Sequence, residues 1–285
     1  MIRFSKYFPK YKYIKGLIMV YRALYLYFDH LKISIKNPDF AIFKLNGHSN
    51  KLDSLRNIHK NDKILIVANG PSLNNIKWEK YENYVILICN GFYKEVDKLK
   101  IKPKYFFIED TEQAELRSKE LNLYKGPMKL CGINNAHVLN KGFTYFNVPY
   151  RRNMINYFDD ELYPQFSRDF ASCVHLGSSI VYIMLQFAYH VGSKEVHIIG
   201  LDHDYGMLPK LFPPGKIKID KNNIENVQKC HFDPNYYSIG DVIGVPFVKR
   251  QDDAFNLANK MFNDKGFKII NDTKGSKCEA FQFLD

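Results

Sequence analysis

The stretch that most constrains the fold is residues 63–73, Lys-Ile-Leu-Ile-Val-Ala-Asn-Gly-Pro-Ser-Leu. Its apolar run, residues 64–68, is short and rich in β-branched side chains. The charged Asp62 and Lys63 precede it and a Gly-Pro step follows. Such a run reads as a parallel strand buried on both faces. Asn69, Gly70, Pro71 and Ser72 then form a turn. Gly70 lets the backbone approach a ligand closely, and Pro71 fixes φ for the start of a helix. Ser72 can cap that helix or offer its hydroxyl. A strand that ends in small residues and a helix N-terminus presents free N–H groups to an anion. An ordinary βα loop has the same composition, and neither a P-loop nor a G-x-G-x-x-G is present to decide.

The same pattern recurs along the chain. A second apolar run, 84–89, ends in Asn90-Gly91, and a third, 105–108, ends in Glu109-Asp110. A helical stretch over 112–121 and a short strand at 129–131 follow. Gly177-Ser178-Ser179 starts an apolar helix over 180–190, a cap signal and a second candidate phosphate contact. The run 195–199 closes in Gly200-Leu201-Asp202-His203-Asp204-Tyr205-Gly206, a helix covers 250–266, and 267–270 is a last strand. Alternating strands and helices predict an α/β fold, Rossmann-like and doubly wound, with a mostly parallel sheet. Ligands bind at the strand C-termini of such sheets. That edge collects Asn69, Asn90, Gly91, Asp110, Gly200, Asp202 and Asp204 as candidate substrate-binding residues.

Residues 207–245 break the alternation with Pro209, Pro213, Pro214 and several lysines. A long irregular insertion beside a ligand edge has the character of a lid, here about 203–245. His231 within it can act as a general base near neutral pH, or simply pack among its aromatic neighbours. Asp202-His203-Asp204 invites a divalent-cation reading, with loop hydrogen bonding as the plainer one. Arg151-Arg152 can grip a carboxylate or phosphate, or be solvated.

Residues 1–36 carry eight Lys or Arg against the single acid Asp29. Apolar side chains fall on one helical face there, which fits a helix lying on a membrane surface or packed on protein. The predicted organisation is a basic N-terminal segment and linker over 1–60, then a catalytic domain over 61–285. The net charge of +11 points to an anionic partner. No nucleic-acid motif is present, so nucleic acid is not the expected partner. Five scattered cysteines without a C-x-x-C fit a reducing compartment, and no secretory leader is legible. The expected location is cytoplasmic, peripheral on the inner face of the inner membrane. A homo-oligomer is compatible with the sequence but not demanded by it.

Residues 64–73, the Cys-Asn-Gly-Phe-Tyr of 89–93 and the Ser-Ser helix leading to Gly-Leu-Asp at 200–202 together resemble the bacterial sialyltransferases of the Campylobacter type. They also resemble the related Maf and MptE-like surface-polysaccharide proteins, among them an archaeal pterin diphosphokinase. The resemblance covers about residues 62–285. It implies a GT-A-like variant of the Rossmann fold with a lid, and an inverting displacement without metal or other cofactor. The implied donor is a CMP-activated acidic sugar of the sialic, pseudaminic or Kdo type. The implied acceptor is a glycan or lipid-linked sugar of lipopolysaccharide, capsule or glycoprotein. Carried over by position, Asn69, Gly70, Pro71 and Ser72 would line the nucleotide, Asn90 would hold the donor, and Ser178 or Ser179 would contact the nucleotide. His231 would take the acceptor proton. Tyr205, with Tyr236 or Tyr237, would steady the departing phosphate. Two rival readings stand beside this one. One is a diphosphokinase-like phosphotransferase with Mg²⁺ on Asp202 and Asp204; the other is a non-enzymatic protein that binds an anionic ligand.

Overall fold

A computed structural model of the protein describes residues 47–148 and 163–283. The basic segment 1–36 and the pair Arg151-Arg152 lie outside the described residues. The apolar runs become strands β1 (Lys63–Val67), β2 (Val85–Cys89), β3 (Tyr105–Ile108), β4 (Met128–Gly132), β5 (Phe143–Phe146) and β6 (Glu195–Ile199). After an insertion holding β7 (Gly215–Lys218) and β8 (Val242–Val245), β9 (Lys268–Asn271) and the short β10 (Gln282–Phe283) complete the set. Eight strands form one parallel sheet in the order β10-β9-β6-β1-β2-β3-β4-β5.

Strand pleating divides the core. Ile64 and Ile66 face one side with Phe187 and Phe255, whereas Leu65 and Val67 face the other with Ile88 and Phe106. The helices are α1 (Gly47–Asp53), α2 (Val96–Leu99), α3 (Thr111–Leu123), α4 (Ile180–His190), α5 (Leu208–Leu211), α6 (Ile224–Gln228) and α7 (Val248–Asn263). From Val181 to His190 every residue of α4 is buried, as an all-round apolar helix requires. Residues 47–60, expected to be linker, pack on the sheet instead. Leu52 is fully buried, and its carbonyl accepts from His190 Nε2 at 3.0 Å.

The insertion is more regular than its prolines suggest. β7 and β8 pair antiparallel, and Leu208, Ile219, Val227 and Ile243 form a small core of their own. Among the described residues no helix is long and apolar enough to cross a membrane.

Topology places the ligand edge. The chain lays down β1 to β5 outward in one direction, then returns to pair β6 with the other side of β1. The strand order therefore reverses between β1 and β6, the switch point where such folds open a crevice. Here the crevice is drawn closed: Gly70 N donates to Gly200 O at 2.9 Å. A Cβ on Gly70 would stand 1.9 Å from Asp202 Oδ2 and 2.7 Å from Gly200 O. Gly200 has φ of +71°, and a Cβ there would meet Leu73 at 2.6 Å.

Two predictions follow from this packing. Gly70→Ala should lower unfolding free energy by about 1–3 kcal/mol in urea titrations, since backbone and a held carboxylate cannot yield cheaply. The second concerns acid. Burial lowers the pKa of His59, His175 and His190 below the ordinary 6.5. The unfolded chain then binds more protons in this range, so these groups contribute stability above pH 6.5 that is lost as pH falls through their folded values. Melting temperature should drop steadily from pH 7 to pH 5, and a flat profile would contradict the buried, neutral imidazoles.

Candidate functional site

The first turn is built differently from its sequence expectation. Pro71–Asn75 winds as a single 3-10 turn, and its free donors already have an anion. Ser72 N donates to Asp202 Oδ1 at 3.1 Å and Ser72 Oγ to Asp202 Oδ2 at 2.7 Å. The protein's own carboxylate thus sits where a phosphate was expected. Gly70, Pro71, Ser72, Gly200 and Asp202 form a clasp across the switch point and do not line the neighbouring cavity. Asp204 is exposed, accepts from Gly206 N at 3.0 Å and pairs with Lys277 at 2.8 Å. Asp202 and Asp204 are therefore engaged separately. Among the described residues no three His, Cys, Asp or Glu side chains group to hold a metal ion.

The open space lies one step along the sheet. A cavity of about 210 Å³ sits where β2 and β3 end, against the N-terminus of α4 and beneath the insertion. Of the residues singled out in the sequence, Asn90, Asp110, Ser178, Ser179, Tyr205 and His231 line it. Tyr237, named beside Tyr236 in the sequence, lines it too, and so do Glu109 and Cys230. Glu109 follows directly from the end of β3, where the strand's alternation stops and two consecutive side chains can reach one space.

Several polar atoms here are already bonded. Ser179 Oγ caps α4 by accepting from Val181 N at 3.3 Å, and Asp110 Oδ1 caps α3 by accepting from Gln113 N at 3.1 Å. Tyr205 donates to Gln251 Oε1 at 2.7 Å, and Gln251 in turn donates to Ser178 O at 2.8 Å. Others have no partner. Asn90 Oδ1 is buried and makes no hydrogen bond, and Ser178 Oγ, buried near the Tyr163 hydroxyl, makes none of good geometry. Both residues also hold left-handed backbones, φ +51° and +58°, unusual for side chains other than glycine. Strained backbone and unsatisfied polar atoms on one cavity wall mark a place shaped for something other than stability. Asn69 Oδ1 is likewise buried without a partner, while its amide donates to Cys89 Sγ at 3.2 Å. Asn69 lies outside the cavity wall.

His231 is held by the helix that precedes it, α6. Its Nδ1 lies 3.1 Å from Val227 O. A carbonyl can only accept, so Nδ1 carries the hydrogen and Nε2 is left as the acceptor. The imidazole stacks on Tyr236 at 4.6 Å and meets Tyr237 edge-on at 5.0 Å. Burial drives its pKa down to about 4; the Val227 carbonyl resists, and the Arg117 charge adds to the fall. The ring is neutral at pH 7.

The two neighbouring tyrosines separate in space. Tyr237 lines the cavity. Tyr236 is buried behind it, and its hydroxyl accepts from Gly91 N at 2.9 Å. Its ring fills the space beside Gly91, where a Cβ would come within 2.6 Å. Tyr236 and Gly91 thus anchor the insertion to the end of β2. Beside them Phe232 N donates to Asn69 O at 3.1 Å, and Asn74 Nδ2 donates to Phe232 O at 3.0 Å.

The family model described as "6-hydroxymethylpterin diphosphokinase MptE-like" matches residues 42–207. Among solved structures, a MAf glycosyltransferase from Magnetospirillum magneticum AMB-1 is similar at 12% identity and a TM-score of 0.46. That similarity covers 84% of this chain and 38% of the other, so the chain spans well under half the length of that protein. Among curated proteins none matches the chain. The family match takes in more than half of the sequence, and the chain belongs to the MptE-like family.

Proposed function

We propose that this chain is an inverting glycosyltransferase. It moves an acidic sugar, of the sialic, pseudaminic or Kdo type, from a CMP donor to a surface-glycan acceptor. The observation that carries the reading is His231, a neutral imidazole on a cavity wall with Nδ1 committed to a carbonyl and Nε2 left to accept. In the reaction the acceptor hydroxyl oxygen bonds to the anomeric carbon from the face opposite CMP. The bond from that carbon to the phosphate oxygen breaks, and its electron pair leaves with CMP. The hydroxyl proton passes to His231 Nε2.

A base with a pKa of about 4 is weak. It suffices where the anomeric carbon becomes cation-like first, because the attacking hydroxyl turns strongly acidic only as its new bond forms. The Asn90 amide, the Ser178 hydroxyl and the α4 N-terminus supply donors for the departing phosphate. Glu109 and Asp110, which also line the cavity, suit the hydroxyl groups of a sugar. At about 210 Å³ the cavity is smaller than the roughly 300–1,000 Å³ of most small-molecule sites. The insertion must therefore shift to admit a nucleotide sugar. In this reading no metal or other cofactor takes part, and the basic segment 1–36 brings the enzyme to the inner face of the membrane.

His231→Ala should lower kcat about 10²- to 10⁴-fold and leave CMP-induced thermal stabilisation in place. In the unmutated protein the acid limb of the kcat profile should fall near pH 4, where the imidazole takes up its proton. A limb near pH 6.5 or undiminished turnover in the variant would remove His231 as the base.

A second reading is favoured by the family's description, that of a diphosphokinase. Asp202 and Asp204 are tied to Ser72 and Lys277 and do not line the cavity, whereas Glu109 and Asp110 do, so a cation in that reaction would take the second pair in exchange for their present partners. A thermal-shift series with CMP and with ATP, each with Mg²⁺ or EDTA, separates the two. The transferase reading expects stabilisation by CMP that EDTA does not alter. Stabilisation by ATP that appears only with Mg²⁺ would favour the diphosphokinase.

A further inference from the structure

Arg117 is a buried cation that the proposed reaction does not use directly. It sits on α3 and is only 6% exposed. Its Nε donates to Gln113 Oε1 at 3.0 Å and its Nη2 to the carbonyl oxygen of Tyr236 at 2.9 Å. Both of these acceptors are neutral; Tyr93 and the half-exposed Glu120, one turn along α3, also act on the guanidinium, yet burying it still costs free energy. Its position therefore asks for a reason.

A further contact supplies one. The guanidinium carbon lies 4.8 Å from the centroid of the Tyr236 ring. That ring is the surface on which His231 stacks, 4.6 Å away and 20° from parallel. Arg117 thus grips Tyr236 at two points, its carbonyl and its ring, while Gly91 N holds the hydroxyl. With three of its parts held, the tyrosine gives the imidazole a fixed backing. Resting on the reading of His231 as the base, we infer that Arg117 is its positioning residue, setting through Tyr236 where Nε2 meets the cavity.

The charge acts in the same direction. A cation this close opposes a proton on the imidazole, in addition to the effect of burial. The other titratable groups around the ring are Tyr236, Tyr237 and Cys230 of the insertion, Tyr205 after β6, and Glu109 and Asp110 after β3. Burial raises the pKa of the three tyrosines and the cysteine, so they are neutral at pH 7. Arg117 is then the positive group against this stack, and the two carboxylates line the same cavity.

The test uses Arg117→Met, which removes the charge, and Arg117→Lys, which keeps it but loses the planar fork. His231 ring signals are followed by NMR in the substrate-free protein and assigned by their loss in His231→Gln. In the Met variant the titration midpoint should rise. Its kcat should fall about tenfold, with the donor KM within about twofold. In the Lys variant the midpoint should hold while the ring shifts move and kcat falls. A folded Met variant with an unmoved midpoint would overturn the inference. So would a folded Lys variant with unchanged ring shifts and kcat, and this variant decides if the Met protein does not fold. Absence of CMP-sugar turnover in the unmutated protein would sink the transferase reading instead. The NMR arm would still show whether Arg117 sets the imidazole.

Discussion

The bond between Asp202 and Ser72 organises this molecule. It joins the ends of β1 and β6, the two strands between which the sheet reverses direction. A carboxylate placed against the free donors of a tight turn satisfies them without a ligand. Gly70 and Gly200 are needed because the clasp leaves no room for a Cβ at either position. Most folds of this kind keep the switch point for their ligand. Here it is spent on joining the two halves of the sheet, and the open space moves to the ends of β2 and β3.

That displacement explains the composition of the cavity. Its walls come from three independent sources: two strand ends, one helix N-terminus and the insertion. The strand ends and the helix are set by the core, since α4 is buried along nearly its whole length. The insertion reaches its place by a different route. Its small core excludes water, and hydrogen bonds through the backbone of Asn69, Gly91, Phe232 and Tyr236 join it to the rest.

The sequence carried much of the fold, for a physical reason. Strands buried on both faces are unbroken apolar runs, so β1, β2, β3, β6 and β9 could be read directly. β5 lies in an aromatic region where strand and loop look alike. β7 and β8 went unread because Gly-Lys-Ile-Lys is mostly exposed and the four residues of β8 give only two buried positions, too short an alternation to stand out. Of the site, Asn90, Asp110, Ser178, Ser179, Tyr205 and His231 were reachable as polar residues at strand ends or in the insertion. The clasp was not, because Ser72 and Asp202 are 130 positions apart. A turn whose donors are already taken has the same sequence as one whose donors are free. Arg117 was hidden as well: on a helix with no distinct apolar face, one arginine among several charged residues gives no sign of burial.

The two arms of the insertion are attached in unlike ways. The arm bearing His231 is stitched to the β1 turn and to β2 by buried backbone hydrogen bonds. The β7–β8 arm packs Ile243 into the core it shares with Val227, and it reaches α3 through an ion pair between Lys216 and Glu112, with the lysine more than half exposed. Dissolved salt weakens a contact of the second kind and hardly touches the first. Ionic strength therefore weakens only the contact with α3, while the shared core of Ile243 and Val227 keeps β7 and β8 beside the imidazole.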